Sequence, residues 1–404
     1  MTTDQLRQAW QAGQIVGLAG PAKRDQQALQ AVVTRAGLQA LQGCWGPGVV
    51  LGSGGSTGER RWCLQPLTHL LASADATGRW LEGVGVDPAA CLHLNPLPHH
   101  HVSGLMPWLR AWRWGAVHQT LEPAWLRTPH LLADAVPLKP HRPAVLSLVP
   151  TQLQRLMADP DGLHWLRQLA VIWVGGGPLP SRAAAQARHV GLRLAPCYGA
   201  TETAAMVCAL DPESFLAGGS GCGLPLADVQ LRLDPFTAAV EVGTDRLSPG
   251  WLKAGELQPF PEARAGWWRS GDAGCLDDGG LQVLGRLDGA VISGGETVFP
   301  EQLELRLLAA AREQGLPLQA VLLLAVEDGE WGHRLVALVR LEPAVLEGCG
   351  LSDLLRACSD LCNGWAPAER PRRWCSCPEL APSALGKWQR GRWRAWFDEL
   401  EAVM

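Results

Sequence analysis

Four short stretches gather the residue types that phosphate and carboxylate chemistry needs. Val49 to Arg61 reads VVLGSGGSTGERR, an apolar strand followed by a loop made almost wholly of glycine and hydroxyl residues. Glycines let backbone N–H groups converge on an anion, and Ser and Thr add hydroxyl donors. The loop is not a Walker A motif, because Gly58 is followed by Glu59-Arg60 where Lys and Ser or Thr are needed. Taken alone, it serves equally as a flexible surface turn. Tyr198 to Thr203 reads YGATET and contains the only tyrosine in a chain with nineteen tryptophans. A carboxylate and a hydroxyl there suit Mg2+ held against phosphates, and the ring offers a flat face to a base. A helix start capped by Thr201 or Thr203 accommodates the same residues. The third stretch, Gly266 to Glu304, contains Ser270-Gly271-Asp272, Gly285-Arg286-Leu287-Asp288 and Ile292 to Glu296 (ISGGE). The fourth, Pro382 to Lys387, ends on one of only four lysines, against thirty-one arginines.

The elements that must position these residues are legible from apolar periodicity. Val145 to Val149 leads through Pro150-Thr151 into QLQRLMAD, and Val171 to Val174 leads through Gly175-Gly176-Gly177-Pro178 into PSRAAAQARHV. Short buried strands alternating with helices predict a parallel sheet, and in such sheets ligands collect at the loops after the carboxyl ends of the strands. YGATET follows the apolar run Leu192 to Ala195 and is expected in such a loop. From about Val229 the texture changes to VQLRL, AAVEV and LQVLG, short strands joined by turns. Beyond Gly285-Arg286 come a helix over about 300–312, strands over 321–326 and 335–341, a helix near 351–362 and a Trp- and Arg-rich terminal helix. That last part is a compact α+β unit, so the domain boundary is placed near Asp288. No internal repeat and no low-complexity segment is present.

Composition narrows the function classes. A length of 404 residues favours two or three domains, and 47% apolar with 18% charged residues is ordinary for a globular protein. A formal net charge of -4 with no basic stripe argues against nucleic acid as a partner. The start, MTTDQLRQAWQAGQ, lacks a basic segment followed by an apolar one, and no apolar run is long enough to span a bilayer, so a cytoplasmic location is expected. The twelve cysteines read as reduced apolar residues, since Cys358-x3-Cys362 and Cys375-Ser376-Cys377 lack the paired spacing of a zinc site.

In this order, the four stretches resemble the core motifs of the adenylate-forming superfamily, the acyl-CoA synthetases and their relatives. Each piece is weak alone; the conjunction is specific. The resemblance runs from about Val49 to the C-terminus and implies an α/β fold. Its large N-terminal domain, residues 1–287, has βα-layered parallel sheets plus a smaller β-rich subdomain; a small mobile α+β C-terminal domain, residues 288–404, carries the catalytic lysine. Only about fifty residues precede the phosphate loop, so the N-terminal domain is expected to be shortened at its start.

The resemblance also implies roles. Ser53, Gly55, Ser56, Thr57, Gly58 and Arg61 would hold the ATP phosphates, with Gly176, Gly177 and Gly199 in the nucleotide site. Tyr198 would stack on adenine, Thr201 would contact the α-phosphate and Glu202 would hold Mg2+. Asp272, helped by Arg286, would bind the ribose hydroxyls, Asp288 would be the hinge, Lys387 the catalytic lysine, and Gly294 and Gly295 the face presented to coenzyme A. Arg60-Arg61 stands where the family usually has Pro-Lys; Arg61 keeps the charge but changes it from a point to a fork. Joining a carboxylate to AMP brings an anion to an anionic phosphate, which Lys387 and Mg2+ would offset.

Leu97 to Leu105 (LPHHHVSGL) and Trp173 to Pro178 (WVGGGP) resemble segments of the o-succinylbenzoate-CoA ligases of menaquinone and phylloquinone synthesis. Three adjacent histidines cannot all face one ion on a regular element, and the run also reads as a polar turn. The resemblance places His101, Ser103 and Gly175 in the acyl pocket. It implies a two-step ligase using ATP, Mg2+ and coenzyme A on a small-molecule acid, with no indication of oligomeric state. The alternatives are another aryl- or fatty-acyl-CoA synthetase, a carrier-loading adenylation domain, and a non-catalytic nucleotide-binding relative.

Overall fold

The computed structural model describes residues 1–53, 61–260, 266–342, 350–382 and 388–403. The chain divides into two compact units, Met1–Val283 and Leu284–Met404; the sequence had put the boundary a few residues later, at Asp288. Among the described residues no helix is long and apolar enough to cross a membrane.

A six-stranded sheet organises the first unit, in the order Val117–Thr120, Leu92–Asn95, Ala144–Leu148, Val171–Val174, Leu194–Ala200, Ala205–Ala209. Its first five strands run parallel and the last returns antiparallel. Strand side chains alternate between two cores. Leu146, Ile172, Val174 and Leu194 pack on one face, while Val145, Val171, Trp173 and Ala195 pack on the other. Burial on both faces is why VLSLV and VIWV read as apolar throughout rather than alternating. The helices Pro150–Met157 and Pro160–Leu166 each begin with proline, whose fixed φ and missing N–H suit a first helical turn.

Leu67–Gly83 contributes Ala76 and Leu81 to the second core, beside Val240, Val242 and Trp268 of an antiparallel sheet, Gln230–Leu233, Ala239–Gly243, Trp267–Asp277 and Gly280–Arg286. A third sheet joins Ile15–Leu18, Gly48–Ser53, Arg61–Pro66, Trp251–Lys253 and Glu256–Gln258.

The first half of YGATET, expected in a loop, lies in a strand. Residues 197–200 have passed the last parallel pairing, Val174 with Pro196, yet they continue as a strand because Ala205–Ala209 folds back on them, with Tyr198 opposite Cys208. Gly199 permits that approach, since a Cβ there would lie 2.1 Å from the Ala205 carbonyl oxygen. Ser270-Gly271-Asp272 sits inside Trp267–Asp277.

In the second unit, Glu296–Val298, Val291–Ser293, Gly332–Leu341 and Leu318–Asp328 form a sheet, with Arg373–Ser376 pairing parallel to Gly332–Leu341. Helices Pro300–Glu313 and Leu351–Asp360 pack Leu303, Leu307 and Leu354 with one set of strand residues, and Arg390–Val403 packs Trp393 and Phe397 with another. Arg390 fixes the start of that last helix, reaching both oxygens of buried Glu304 at 2.9 and 3.1 Å and the Leu323 carbonyl at 2.8 Å.

Candidate active site

The TET part of YGATET is a single 3-10 turn, Thr201–Thr203, at the end of the strand Leu194–Ala200. Thr203 is spent on the turn itself: its hydroxyl accepts from the Ala200 amide at 3.0 Å and donates to the Ala205 carbonyl at 2.7 Å. The chain then passes through two left-handed non-glycine residues, Ala204 with φ 52° and Ala205 with φ 80°. Such conformations cost free energy and persist where surrounding contacts over-determine them. Here the contacts are explicit. Ser73 Oγ donates to the Ala204 carbonyl at 2.6 Å, and fully buried Arg246 donates to the Thr203 and Met206 carbonyls while pairing with Asp228 at 2.7 Å.

This bracing fixes the backbone that carries half-buried Thr201 and buried Glu202. The Thr201 carbonyl accepts from Gln65 Nε2, and its hydroxyl is not needed for the cap. Glu202 is 7% exposed; its Oε1 accepts the Trp251 indole N–H at 3.2 Å, and its Oε2 takes no hydrogen bond from the described residues. Trp251 also carries the Arg61 guanidinium 4.4 Å above its ring. Arg61 stands opposite Ser53 in the antiparallel pair Gly48–Ser53 and Arg61–Pro66, so one indole joins the arms of the phosphate-loop hairpin to the carboxylate. A half-used carboxylate beside a hydroxyl is a donor set that fits Mg2+, which takes one or two carboxylates and completes its shell with phosphate oxygens and water.

Tyr198 and Asp272, 74 residues apart, are brought into direct contact: the phenol donates to Asp272 Oδ2 at 2.6 Å. Burial, followed by the neighbouring carboxylate, raises the phenol pKa well above its ordinary value, so the hydroxyl stays a donor. Ser270 Oγ accepts from the Asp272 amide at 3.1 Å and sets the carboxylate's backbone. An aromatic face and a carboxylate that a ribose diol can engage thus come from two different sheets.

The loops after Leu92–Asn95 and Val171–Val174 emerge at the same carboxyl edge of the parallel sheet. Buried Asn95 staples the first of them: its amide donates to the Gly104 carbonyl at 2.7 Å and its oxygen accepts the Leu97 amide at 3.0 Å. His101 takes the N-cap position of Val102–Trp114, Ser103 is exposed in its first turn, and Gly104 has no room for a Cβ, which would sit 2.2 Å from the Pro98 carbonyl oxygen. Gly175 packs on Cys197, and Gly176 has φ 78°; Gly176 and Gly177 are exposed.

Beside them lies Arg110, 4% exposed, with its guanidinium 5.1 Å over the Trp173 ring and no carboxylate partner among the described residues. Its Nε and the Trp173 Nε1 are both buried donors with no acceptor among the described residues. Burial lowers the Arg110 pKa to about 10, which leaves it cationic at neutral pH. A buried cation lacking its anion is costly unless a ligand supplies one.

Within the second unit, Arg286 forks onto Asp288 through two contacts of 3.2 Å, so the residue expected at the ribose is paired with the expected hinge. Gly294 and Gly295 form a two-residue hairpin turn with φ 58° and 85°, conformations that suit glycine. Gly294 backs onto Trp331, where a Cβ would lie 2.5 Å from the indole, and Arg334 covers the same ring at 4.5 Å.

Residues 47–243 match the family described as AMP-binding enzyme. The chain is similar to the 2-succinylbenzoate–CoA ligase of Enterococcus faecalis, 28% identical over 363 residues, 88% of this chain and 70% of the relative. It is also similar to the 2-succinylbenzoate–CoA ligase of Salmonella typhimurium, 32% identical over 254 residues, 63% of this chain and 50% of the relative; the chain thus spans half of that relative's length. Among solved structures, it is similar to the O-succinylbenzoate coenzyme A synthetase from Bacillus subtilis in complex with ATP and magnesium ion, with a TM-score of 0.68 at 20% identity, over 98% of this chain and 82% of the other. These likenesses agree with the α/β fold expected of the adenylate-forming superfamily.

The matched stretch holds Ser53, Arg61, His101, Ser103, Gly175 to Gly177 and Tyr198 to Glu202, whereas Asp272, Arg286, Asp288, Gly294 and Gly295 lie beyond it. Gly55, Ser56, Thr57, Gly58 and Lys387 lie outside the described residues. Sequence reasoning missed Arg110, Arg246, Trp251 and Trp331. For Arg110 one signal was available, an arginine on the apolar helix that follows a glycine-containing ligand loop.

Proposed function

We propose that the chain is an ATP-dependent acid–thiol ligase that activates o-succinylbenzoate as its acyl-adenylate and transfers the acyl group to coenzyme A, releasing AMP and pyrophosphate, in menaquinone or phylloquinone synthesis. Arg110 carries the choice of acid. o-Succinylbenzoate has two carboxylates and an aromatic ring; one carboxylate reacts, and the other needs a buried cation among apolar walls. The unpaired guanidinium, the orphan Trp173 indole N–H and the Trp80–Trp173 pair, 5.9 Å between ring centroids, supply that combination. The similarity to 2-succinylbenzoate–CoA ligases supports the same reading.

In the first half-reaction an oxygen of the reacting carboxylate bonds to the α-phosphorus of ATP as the bond to pyrophosphate breaks. Ser53, Gly55, Ser56, Thr57, Gly58 and Arg61 hold the phosphates, with Gly176, Gly177 and Gly199 lining the nucleotide site. The Tyr198 ring receives adenine, Asp272 receives the ribose hydroxyls with Arg286, and Thr201 contacts the α-phosphate. Glu202 holds Mg2+, which supplies positive charge to the phosphate oxygens, and Lys387 adds its ammonium to the same transition state. His101, Ser103 and Gly175 flank the acyl group. In the second half-reaction the 288–404 domain turns about Asp288, and the coenzyme A sulfur attacks the acyl carbon while AMP leaves. Gly294, Gly295 and the Trp331 ring make the face for that thiol substrate. ATP and coenzyme A as co-substrates suit a cytoplasmic enzyme.

The test is pyrophosphate release from chelator-free protein with ATP and Mg2+, given o-succinylbenzoate, benzoate or a medium-chain fatty acid. o-Succinylbenzoate is expected to be preferred strongly, because a site built around a second carboxylate is left with unpaired donors by acids that lack one. Arg110→Gln should raise the o-succinylbenzoate KM by roughly 30-fold or more, as for loss of one partner in a buried charge pair, and leave the ATP KM unchanged. Equal use of benzoate would overturn the substrate, transfer only to a carrier-protein thiol would overturn the coenzyme A step, and no pyrophosphate with any acid would favour a nucleotide-binding relative.

A further inference from the structure

The three histidines of LPHHHVSGL part company in the fold. His100 and His101 face each other, with ring centroids 4.5 Å apart, but His99 turns away towards His118 of the edge strand Val117–Thr120. The His99 and His118 rings are 6.0 Å apart at 45°, and Nε2 of each is buried with no hydrogen-bond partner. A direct N–H···N bond, about 2.9 Å between nitrogens, would bring the centroids to roughly 5.2 Å or closer. The rings are therefore too far apart to satisfy each other. They leave room for one atom between them: at a metal–imidazole distance of about 2.0–2.1 Å, two centroids bound to a common ion lie roughly 5.2 Å apart at a tetrahedral angle and roughly 6.4 Å apart at a linear one, a range that brackets the observed separation.

We propose that His99 and His118 form a binding site for a borderline divalent transition-metal ion of the Ni2+, Cu2+ or Zn2+ class, which ties the loop carrying His101 and Ser103 to the edge of the parallel sheet. Imidazole nitrogen is the ligand type these ions share, and burial pushes both rings towards the neutral form that coordinates. Among the described residues no third His, Cys, Asp or Glu completes the set. Water would complete the ion's coordination.

The site is tested on the full chain after chelator treatment. Calorimetric titration with Ni2+ should find one equivalent more in the wild type than in His99→Gln or His118→Gln, while His100→Gln keeps the wild-type number. The rise in Tm on adding Ni2+ should disappear in the same two variants. Pulsed EPR of Cu2+ on the wild type should show two imidazole nitrogens, a measurement that does not depend on any variant folding. Equal Ni2+ stoichiometry in the wild type and both variants, or a Cu2+ spectrum with fewer than two imidazoles, overturns the proposal and leaves a bridging water between the rings.

Discussion

Replacing Arg246 with methionine tests whether a buried cation holds the candidate active-site turn. The guanidinium is 1% exposed and donates to Asp228, the Thr203 and Met206 carbonyls and Ser73 Oγ, the last at 3.3 Å. Methionine fills the space but strands a carboxylate and two carbonyls. Removing one partner of a buried ion pair costs about 3–5 kcal/mol. Asp228 keeps 25% side-chain exposure and can partly rehydrate, which favours the lower end, about 3 kcal/mol. At roughly 2–4 °C per kcal/mol for a domain of this order of size, Tm should fall by about 10 °C. The loss also has a functional arm. Ala204 and Ala205 hold their positive φ only while the flanking carbonyls are gripped, so Thr201 and Glu202 should drift and pyrophosphate release should fall more steeply than folded protein is lost. Adding Asp228→Asn should recover part of the Tm, because it removes the stranded charge. The measurements are calorimetric melting and pyrophosphate release at a temperature where the variant is folded. An Arg246→Met melt within about 2 °C of wild type, with nothing gained from Asp228→Asn, would refute the account.

Tyr198→Phe keeps the ring and deletes the 2.6 Å bond to Asp272; the ATP KM should rise several-fold with little change in kcat, and a large kcat loss instead would move the phenol into the chemistry. Lys387→Ala should abolish adenylate formation, a loss on the order of 3 kcal/mol or more, while sparing thioester formation from pre-made acyl-adenylate; equal loss in both half-reactions would make the lysine structural. Burial lowers the pKa of His93 and of His118 from 6.5 to about 4, so between those values the unfolded chain binds protons that the native state refuses. Stability should therefore be complete above pH 6.5 and decline as pH falls towards 4, and His118→Gln should flatten that slope in urea melts; an unchanged slope would show that the ring protonates in the native state.

The motifs were legible in the sequence because their chemistry is local. VLSLV and VIWV are buried strands whichever order the sheet adopts, because their residue types alone suit burial on both faces. The Gly294-Gly295 turn, which the sequence reading did not draw, suits its residue type, since few residues but glycine enter that conformation freely. What tertiary structure alone decided was the company each motif keeps. Tyr198 meets Asp272 across 74 residues, and Arg246 meets Ser73 across 173. YGATET reads as a loop until Ala205–Ala209 returns beside it and makes Tyr198 part of a strand. Arg110 looks like any other arginine on a helix until burial strips it of water and no carboxylate of the described residues pairs with it. Composition and spacing report what a residue can do. Burial and partners, which set the cost of a charge and the direction of a donor, exist only once distant segments have closed around it.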